Sequence, residues 1–310
     1  MRKKILIFGK IPPPVGGVSN YVLRQRETFS KECDVDVISK LSLQSFLTVM
    51  KKKSTYDEVY VHTINLILLV FLSLLGLDKS TVLVDHNHSR GKKNKLSKAE
   101  WKFFLMRLKK IQVVSESLKK NYSDSIRNKI ELISTFLPPS KLEVESAEIP
   151  EYISDFVADN EKTIVISGWR YVLENQVDLY GFDFSVEVVK AVIDMGFSVK
   201  MIVCIGDVSF NSSCIEKLKN KINDMSLAEN IIIWEECRNS WALFSEDVVY
   251  FRPTSTDGDS ISIHEAGFFG AAVVASDRAV RPQHAIVYEY GNIDSALSAI
   301  IPLVQEKKGV

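Results

Sequence analysis

The sequence predicts an α/β protein made of two doubly wound, Rossmann-like parallel-sheet domains. Short β-branched runs alternate with segments of helical periodicity along most of the chain, the pattern of βαβ units with helices on both faces of a sheet. The alternation breaks once, at residues 138–150 (PPSKLEVESAEIP), where prolines stand at both ends and apolar content is low. The length of 310 residues agrees, being more than one hydrophobic core usually organises. A linker is therefore expected at 138–150, with a first domain at residues 1–145 and a second at 146–310.

In the first domain, strands are expected at 4–8, 35–39, 59–62, 81–85, 111–114 and 129–133, each a run of β-branched or apolar residues bounded by polar ones. Helices are expected between them at 18–30, 42–53, 65–74, 97–109 and 116–122, where apolar residues recur at helical spacing. After the linker, strands are expected at 163–167, 199–205, 231–234, 248–251 and 272–275, and helices at 185–195, 214–225, 240–244, 260–268 and 294–304. Ligands of open α/β sheets bind outside the carboxyl ends of the strands, so a cleft between two such sheets is the expected site.

Composition excludes several classes. Hydrophobic residues make up 46% of the chain, with Gly 14, Pro 9 and Cys 4, which rules out disordered, collagen-like and disulfide-scaffold proteins. Cys33, Cys204, Cys214 and Cys237 are far apart with no CxxC pair, so neither a zinc framework nor a secreted scaffold is expected. A reduced cytoplasm fits best. The basic start imitates a signal peptide, but its apolar core spans only Ile5 to Phe8 before a proline run. The longest apolar stretch, 64–77, is shorter than the ~20 residues a spanning helix needs and reads as a buried helix.

The zero net charge hides a division. Residues 1–140 carry 25 basic and 12 acidic side chains, a net +13, and the remainder carries 14 and 27, a net −13. Such asymmetry points to an anionic partner for one half. Nine cations and only one acid, Glu100, fall within 90–110. Trp101, Phe104, Leu105 and Leu108 form a helical core stripe there, leaving Phe103 and Met106 beside basic positions. A basic helix with spare apolar side chains can lie on an anionic membrane surface. A merely solvated face is the plainer alternative, and no recognised motif supports nucleic-acid binding.

Two turns could carry chemistry. In GKIPPPVGGVSNYV, Gly16 and Gly17 stand just before a helix, where backbone can approach a ligand and free amides favour an anion, although a plain turn would also want glycine. The spacing is not the dinucleotide fingerprint GxGxxG. In FRPTSTDGDSISIHEAGFFGAAVVASD (251–277), amides from Gly258 through Ser260 to Ile261 open a helix and could bind a diphosphate. Asp257 and Glu265 flank that start, and carboxylates accept hydrogen bonds from sugar hydroxyls. A solvated face or an internal ion pair is the alternative for Glu265. No Ser-His-Asp order, HExxH helix or Walker loop competes. Asp257-Gly258-Asp259 imitates a metal-binding Asp-x-Asp, but it opens a helix in the second domain, so no metal is expected.

The second turn resembles the retaining glycosyltransferases of family 4, which have the GT-B fold. Pro253, Thr254, Asp257, Gly258 and Glu265 match that family's pattern, and Arg252 to Thr254, Asp257 to Ser260 and Arg281-Pro282 are similar to a bacterial polysaccharide subgroup. PPPVGGVSNYV, VLVDHNHS and ISGWRY resemble its glycine loop, its strand ending in His, and the start of its second domain. The resemblance implies that Glu265 holds the ribose of a nucleotide sugar and Asp257 contacts the transferred sugar. Gly17, Arg170 and the amides at Ser260 and Ile261 would hold the diphosphate. His86, with His88 as a rival, would approach the donor sugar; His62 has no match and reads as structural.

Two residues depart from the family pattern: Asn175 stands where a phosphate Lys is usual, and Asp257 replaces the commoner Glu. The implied activity is transfer from a nucleoside-diphosphate sugar to a lipid-linked bacterial surface glycan at the inner face of the plasma membrane. A same-fold epimerase and a degenerate, non-catalytic binding partner are the alternatives.

Overall fold

The computed structural model describes residues 2–12, 17–86, 99–134, 136–158 and 162–305. The chain forms two compact units, Met1–Ser140 and Lys141–Val310. The division falls within the expected linker but ahead of the expected 145/146 boundary, because residues 141–145 are helical and belong to the second unit. It coincides with the reversal of net charge.

The first unit runs β1 (Lys3–Phe8), α1 (Gly17–Ser30), β2 (Cys33–Ile38), α2 (Leu43–Lys52), β3 (Glu58–Val61), α3 (Leu66–Leu74), β4 (Thr81–Asp85), α4 (Ala99–Arg107), β5 (Lys110–Val113), α5 (Glu116–Lys119) and β6 (Ile130–Leu132). Its six strands are parallel in the order β2-β1-β3-β4-β5-β6. Alternation along β1 sends Leu6 and Phe8 to one face and Ile5 and Ile7 to the other, and each face is covered by its own apolar cluster. That explains why the strand reads as an unbroken apolar run.

The apolar stretch 64–77 becomes α3, which buries Leu68, Leu69 and Leu72 against the sheet. Among the described residues no helix is long and apolar enough to cross a membrane. In α4, Trp101 and Leu105 enter the core with Phe104 packed against it, whereas Phe103 and Met106 are 57% and 48% exposed. The helix is pinned by Arg107, whose Nε donates to the buried Asp78 carboxylate. Residues 90–98, including most of the basic run, lie outside the described residues.

The second unit contains α6 (Lys141–Glu145), α7 (Glu151–Phe156), β7 (Lys162–Gly168), β8 (Leu173–Glu174), β9 (Val177–Asp178), α8 (Phe182–Asp194), β10 (Val199–Ile205), α9 (Ser212–Asp224), β11 (Ile231–Glu235), β12 (Val248–Arg252), α10 (Ile261–Phe268), β13 (Ala272–Ser276), β14 (Ala285–Tyr288) and α11 (Ile293–Val304). The main sheet is parallel in the order β11-β10-β7-β12-β13-β14. Its sixth strand, β14, was not expected from the sequence, and 240–243 forms a 3₁₀ turn where a helix was expected. β8 and β9 form a small antiparallel hairpin after β7. Asn175 and Gln176 both adopt positive φ, 51° and 66°, at its two-residue turn, as a tight hairpin turn requires.

Candidate functional site

In the second sheet β7 is the switch point: β10 and β11 lie on one side of it and β12 to β14 on the other. The turns after β7 and β12 therefore leave from adjacent strand ends, the place where doubly wound sheets bind ligands. Arg170 follows β7; Pro253 to Ser260 follow β12. Hydrogen bonds tie these ends together, since Arg252 Nη1 donates to the Ser167 carbonyl at 2.9 Å and Ser167 Oγ lies 2.9 Å from the Tyr250 hydroxyl.

The turn after β12 is built on a buried ion cluster. Asp257 Oδ2 accepts from Arg252 Nε at 3.0 Å, Arg281 Nη1 at 2.9 Å and Thr254 Oγ1 at 3.3 Å, while Oδ1 accepts from the Gly258 amide at 3.0 Å and Arg252 Nη2 at 3.4 Å. Arg281 also donates to the carbonyl and hydroxyl of Ser276 and to Thr254 Oγ1. Burial pushes the Asp257 carboxyl up, but the two guanidiniums outweigh it and hold the group below its ordinary value. The sequence placed Asp257 at the transferred sugar. The structure shows its oxygens filled by five donors of its own unit.

Beyond that cluster, Ser260 caps α10 without a side-chain bond to a helix amide; its hydroxyl lies 3.2 Å from Ser262 Oγ. The amides of Ser260, Ile261 and Ser262 have no protein acceptor among the described residues, which leaves a cluster of donors at a helix N-terminus. Gly258 differs from the expectation, because its amide is taken by Asp257. Glu265 lies four residues into the helix and is buried at 6% exposure. Neighbouring His264 Nε2 is 2.6 Å from Asp259 Oδ1.

Arg170 reaches across to the turn after β10. Its Nε and Nη2 both meet Asp207 Oδ2 at 2.7 Å, and its guanidinium stands 5.0 Å from the Phe210 ring centroid. The strand-end turns are further zipped by Asp207 N donating to the Trp169 carbonyl at 2.7 Å. Arg170 is thus held in one orientation with Nη1 outside the ion pair.

In the first unit a cavity of about 600 Å³ lies at the carboxyl ends of β1, β2 and β3. Lys10, Lys40, Ser39, His62, Thr63 and the start of α1 at Gly17 to Ser19 line it. Among the described residues no carboxylate does. Gly17 is therefore on a cavity wall; Gly16 and His88 lie outside the described residues. His86 follows β4, and its Nε2 is 2.9 Å from Nδ1 of His62, whose Nε2 is 2.8 Å from Gln25 Oε1. Burial drives His62 down to about 3, with His86 adding to the effect, and drives His86 down to about 4. Gln25 was not expected at the site, and His62 was expected to be structural. The usable signal was that two neighbouring strands each end in histidine.

No family model matches the chain, and no curated protein matches it. Solved structures do. A glycosyltransferase from Rickettsia africae superposes with a TM-score of 0.65 at 14% identity, covering 97% of this chain and 88% of that one. Anabaena HepE in complex with UDP gives 0.61 at 12% identity, covering 99% and 91%. A trehalose-6-phosphate protein from E. coli bound with UDP-2-fluoro glucose gives 0.63 at 10% identity, covering 98% and 92%. At such identities the likeness is one of fold, and the two parallel-sheet units in tandem have the GT-B fold.

Proposed function

We propose that this chain is a glycosyltransferase using a nucleoside-diphosphate sugar. The observation that carries the reading is the set of amides at Ser260, Ile261 and Ser262, without an acceptor among the described residues, opening a helix that buries Glu265 at the switch point of the second sheet. The complexes of HepE with UDP-glucose and of the E. coli protein with UDP-2-fluoro glucose support a uridine diphosphate donor. In this proposal the amides and Arg170 stabilise charge developing on the leaving diphosphate, aligned before the reaction begins. No metal is needed for that. Glu265 accepts from the ribose hydroxyls, and His86 meets the transferred sugar. Asp257 holds the turn that presents the amides, because its own lone pairs are filled. Transfer proceeds with retention, at the front face and without a covalent intermediate, as the family resemblance implies.

The acceptor side of the proposal rests on the first unit. Its cavity, with Lys10 and Lys40 and no carboxylate among its described lining residues, suits an acceptor bearing negative charge, such as a lipid-linked glycan intermediate of a bacterial surface polymer. Release of UDP from UDP-glucose and related donors tests the reading. Glu265→Ala is expected to abolish release while the protein stays folded; normal turnover by that variant would refute the assignment.

One observation favours a second reading. Asn175, at the tip of the β8–β9 hairpin, supplies no cation where the family pattern has one, and Arg170 is committed to Asp207. A protein that binds a nucleotide or glycan without transferring a sugar would keep the fold and the amide turn. UDP binding by calorimetry with no turnover of any donor would select that reading.

A further inference from the structure

We propose that Gln25 and His62 are positioning residues that fix His86 in a single tautomer, presenting a bare Nδ1 lone pair to a ligand hydroxyl. The geometry assigns the protons in sequence. Gln25 Oε1 carries no hydrogen, so at 2.8 Å His62 Nε2 must be the donor. A neutral His62 then has a lone pair at Nδ1, and His86 Nε2, 2.9 Å away, must donate to it. His86 Nδ1 is left unprotonated, and it has no protein partner among the described residues.

Packing holds the array in place. Gln25 and Tyr21 are four apart on α1 and share a face. The Tyr21 ring meets His86 edge-on with centroids 4.8 Å apart, and the two imidazoles stack at 5.2 Å and 18°. Gln25 and His62 are buried at 6% and 8% exposure, whereas His86 is only partly buried, at the ligand-binding edge of the sheet. Burial keeps both rings neutral at pH 7, which the proton order requires.

The consequence is chemical selectivity. A bare lone pair accepts from a hydroxyl and repels phosphate or carboxylate oxygen, so His86 takes part in sugar recognition rather than diphosphate binding. Only the identity of the ligand as a sugar rests on the glycosyl-transfer reading; the tautomer does not.

The test uses the full chain labelled with ¹⁵N-histidine and long-range ¹H–¹⁵N correlation at pH 7. Both His62 and His86 are expected as Nε2–H tautomers. An Nδ1–H on His86 would overturn the proposal, since it means the array runs in the opposite direction with the Gln25 amide turned over. His62→Leu removes the acceptor and is expected to lower kcat with UDP-glucose by about 10- to 100-fold while leaving the Kd for UDP within about twofold. His62→Asn, whose Oδ1 takes the place of Nδ1, should restore most of that loss. Gln25→Met, one step further from His86, gives the same readout if His62→Leu does not fold. Unchanged kcat in a folded variant whose His86 tautomer has been released refutes the positioning role. The Nε2–H pattern in a wild-type protein that turns over no donor would support the array and refute the transfer reading instead.

Discussion

Asp257 illustrates how a residue can match a motif and still be occupied elsewhere. Its carboxylate lies between Arg252 and Arg281, whose side chains are 10% and 2% exposed. Removing the charge would leave two buried guanidiniums facing each other with only neutral acceptors, among them the Ser167 and Ser276 carbonyls. Asp257→Asn is therefore expected to lower stability by about 3–5 kcal/mol, the usual consequence of breaking a buried pair from one side. Urea unfolding checks this, and a loss below ~1 kcal/mol would mean that the cluster is not a structural anchor. The sequence displayed all three residues, in RPT, DGDS and Arg281-Pro282. It could not display that they meet, because Arg281 is 24 positions from Asp257 and arrives by way of β13. Glu265 and Arg170 were readable as polar groups beside helix starts and strand ends. The partner that orients Arg170, Asp207, follows a different strand and carries no local signal.

At the scale of elements, the loop after β7 governs how the turn after β12 sits. Gly181, at φ 73°, begins α8 in the left-handed region, and a Cβ there would come within 2.5 Å of the Pro253 carbonyl oxygen and 2.8 Å of Pro253 Cγ. The Ser255 amide donates to the Leu179 carbonyl across the same contact at 3.0 Å. Gly181→Ala should cost roughly 2 kcal/mol or more through combined backbone strain and overlap. It should also weaken UDP binding, because the strain falls on the turn that leads to the α10 amides. Thermal unfolding and calorimetry on one preparation test both, and a variant as stable as wild type would contradict the close approach. Elements with strong periodicity were legible in advance. The stripe Trp101, Phe104, Leu105 faces the core and Phe103 and Met106 face out, as helical spacing requires. Two-residue strands such as β8 and β9 are too short to show a period, and β14 at 285–288 follows a proline and carries half-exposed Val287, so neither stood out from loop.

For the whole molecule, tandem alternation of strands and helices was enough to read the architecture, since each parallel strand must return through a crossover. The resemblance of scattered turns pointed to the GT-B fold, which the two parallel sheets in tandem bear out. Attachment to an anionic membrane would sum many weak contacts. Exposed Phe103 and Met106 beside Lys102 continue a basic run of which five cations, among them Lys92, Lys93 and Lys95, precede α4 in the sequence. Co-sedimentation with phosphatidylserine vesicles is expected, falling with added salt and on neutralising those three lysines, at about 1 kcal/mol per cation. Equal binding to neutral vesicles would refute an electrostatic contribution.

The coincidence of the unit boundary with the change of charge sign has a practical consequence. A protein with 39 basic and 39 acidic residues would ordinarily pass through an ion-exchange column at neutral pH. This one presents +13 on residues 1–140 and −13 on the rest, so it should adhere to cation and anion exchangers alike, each resin gripping the opposite end of the same chain.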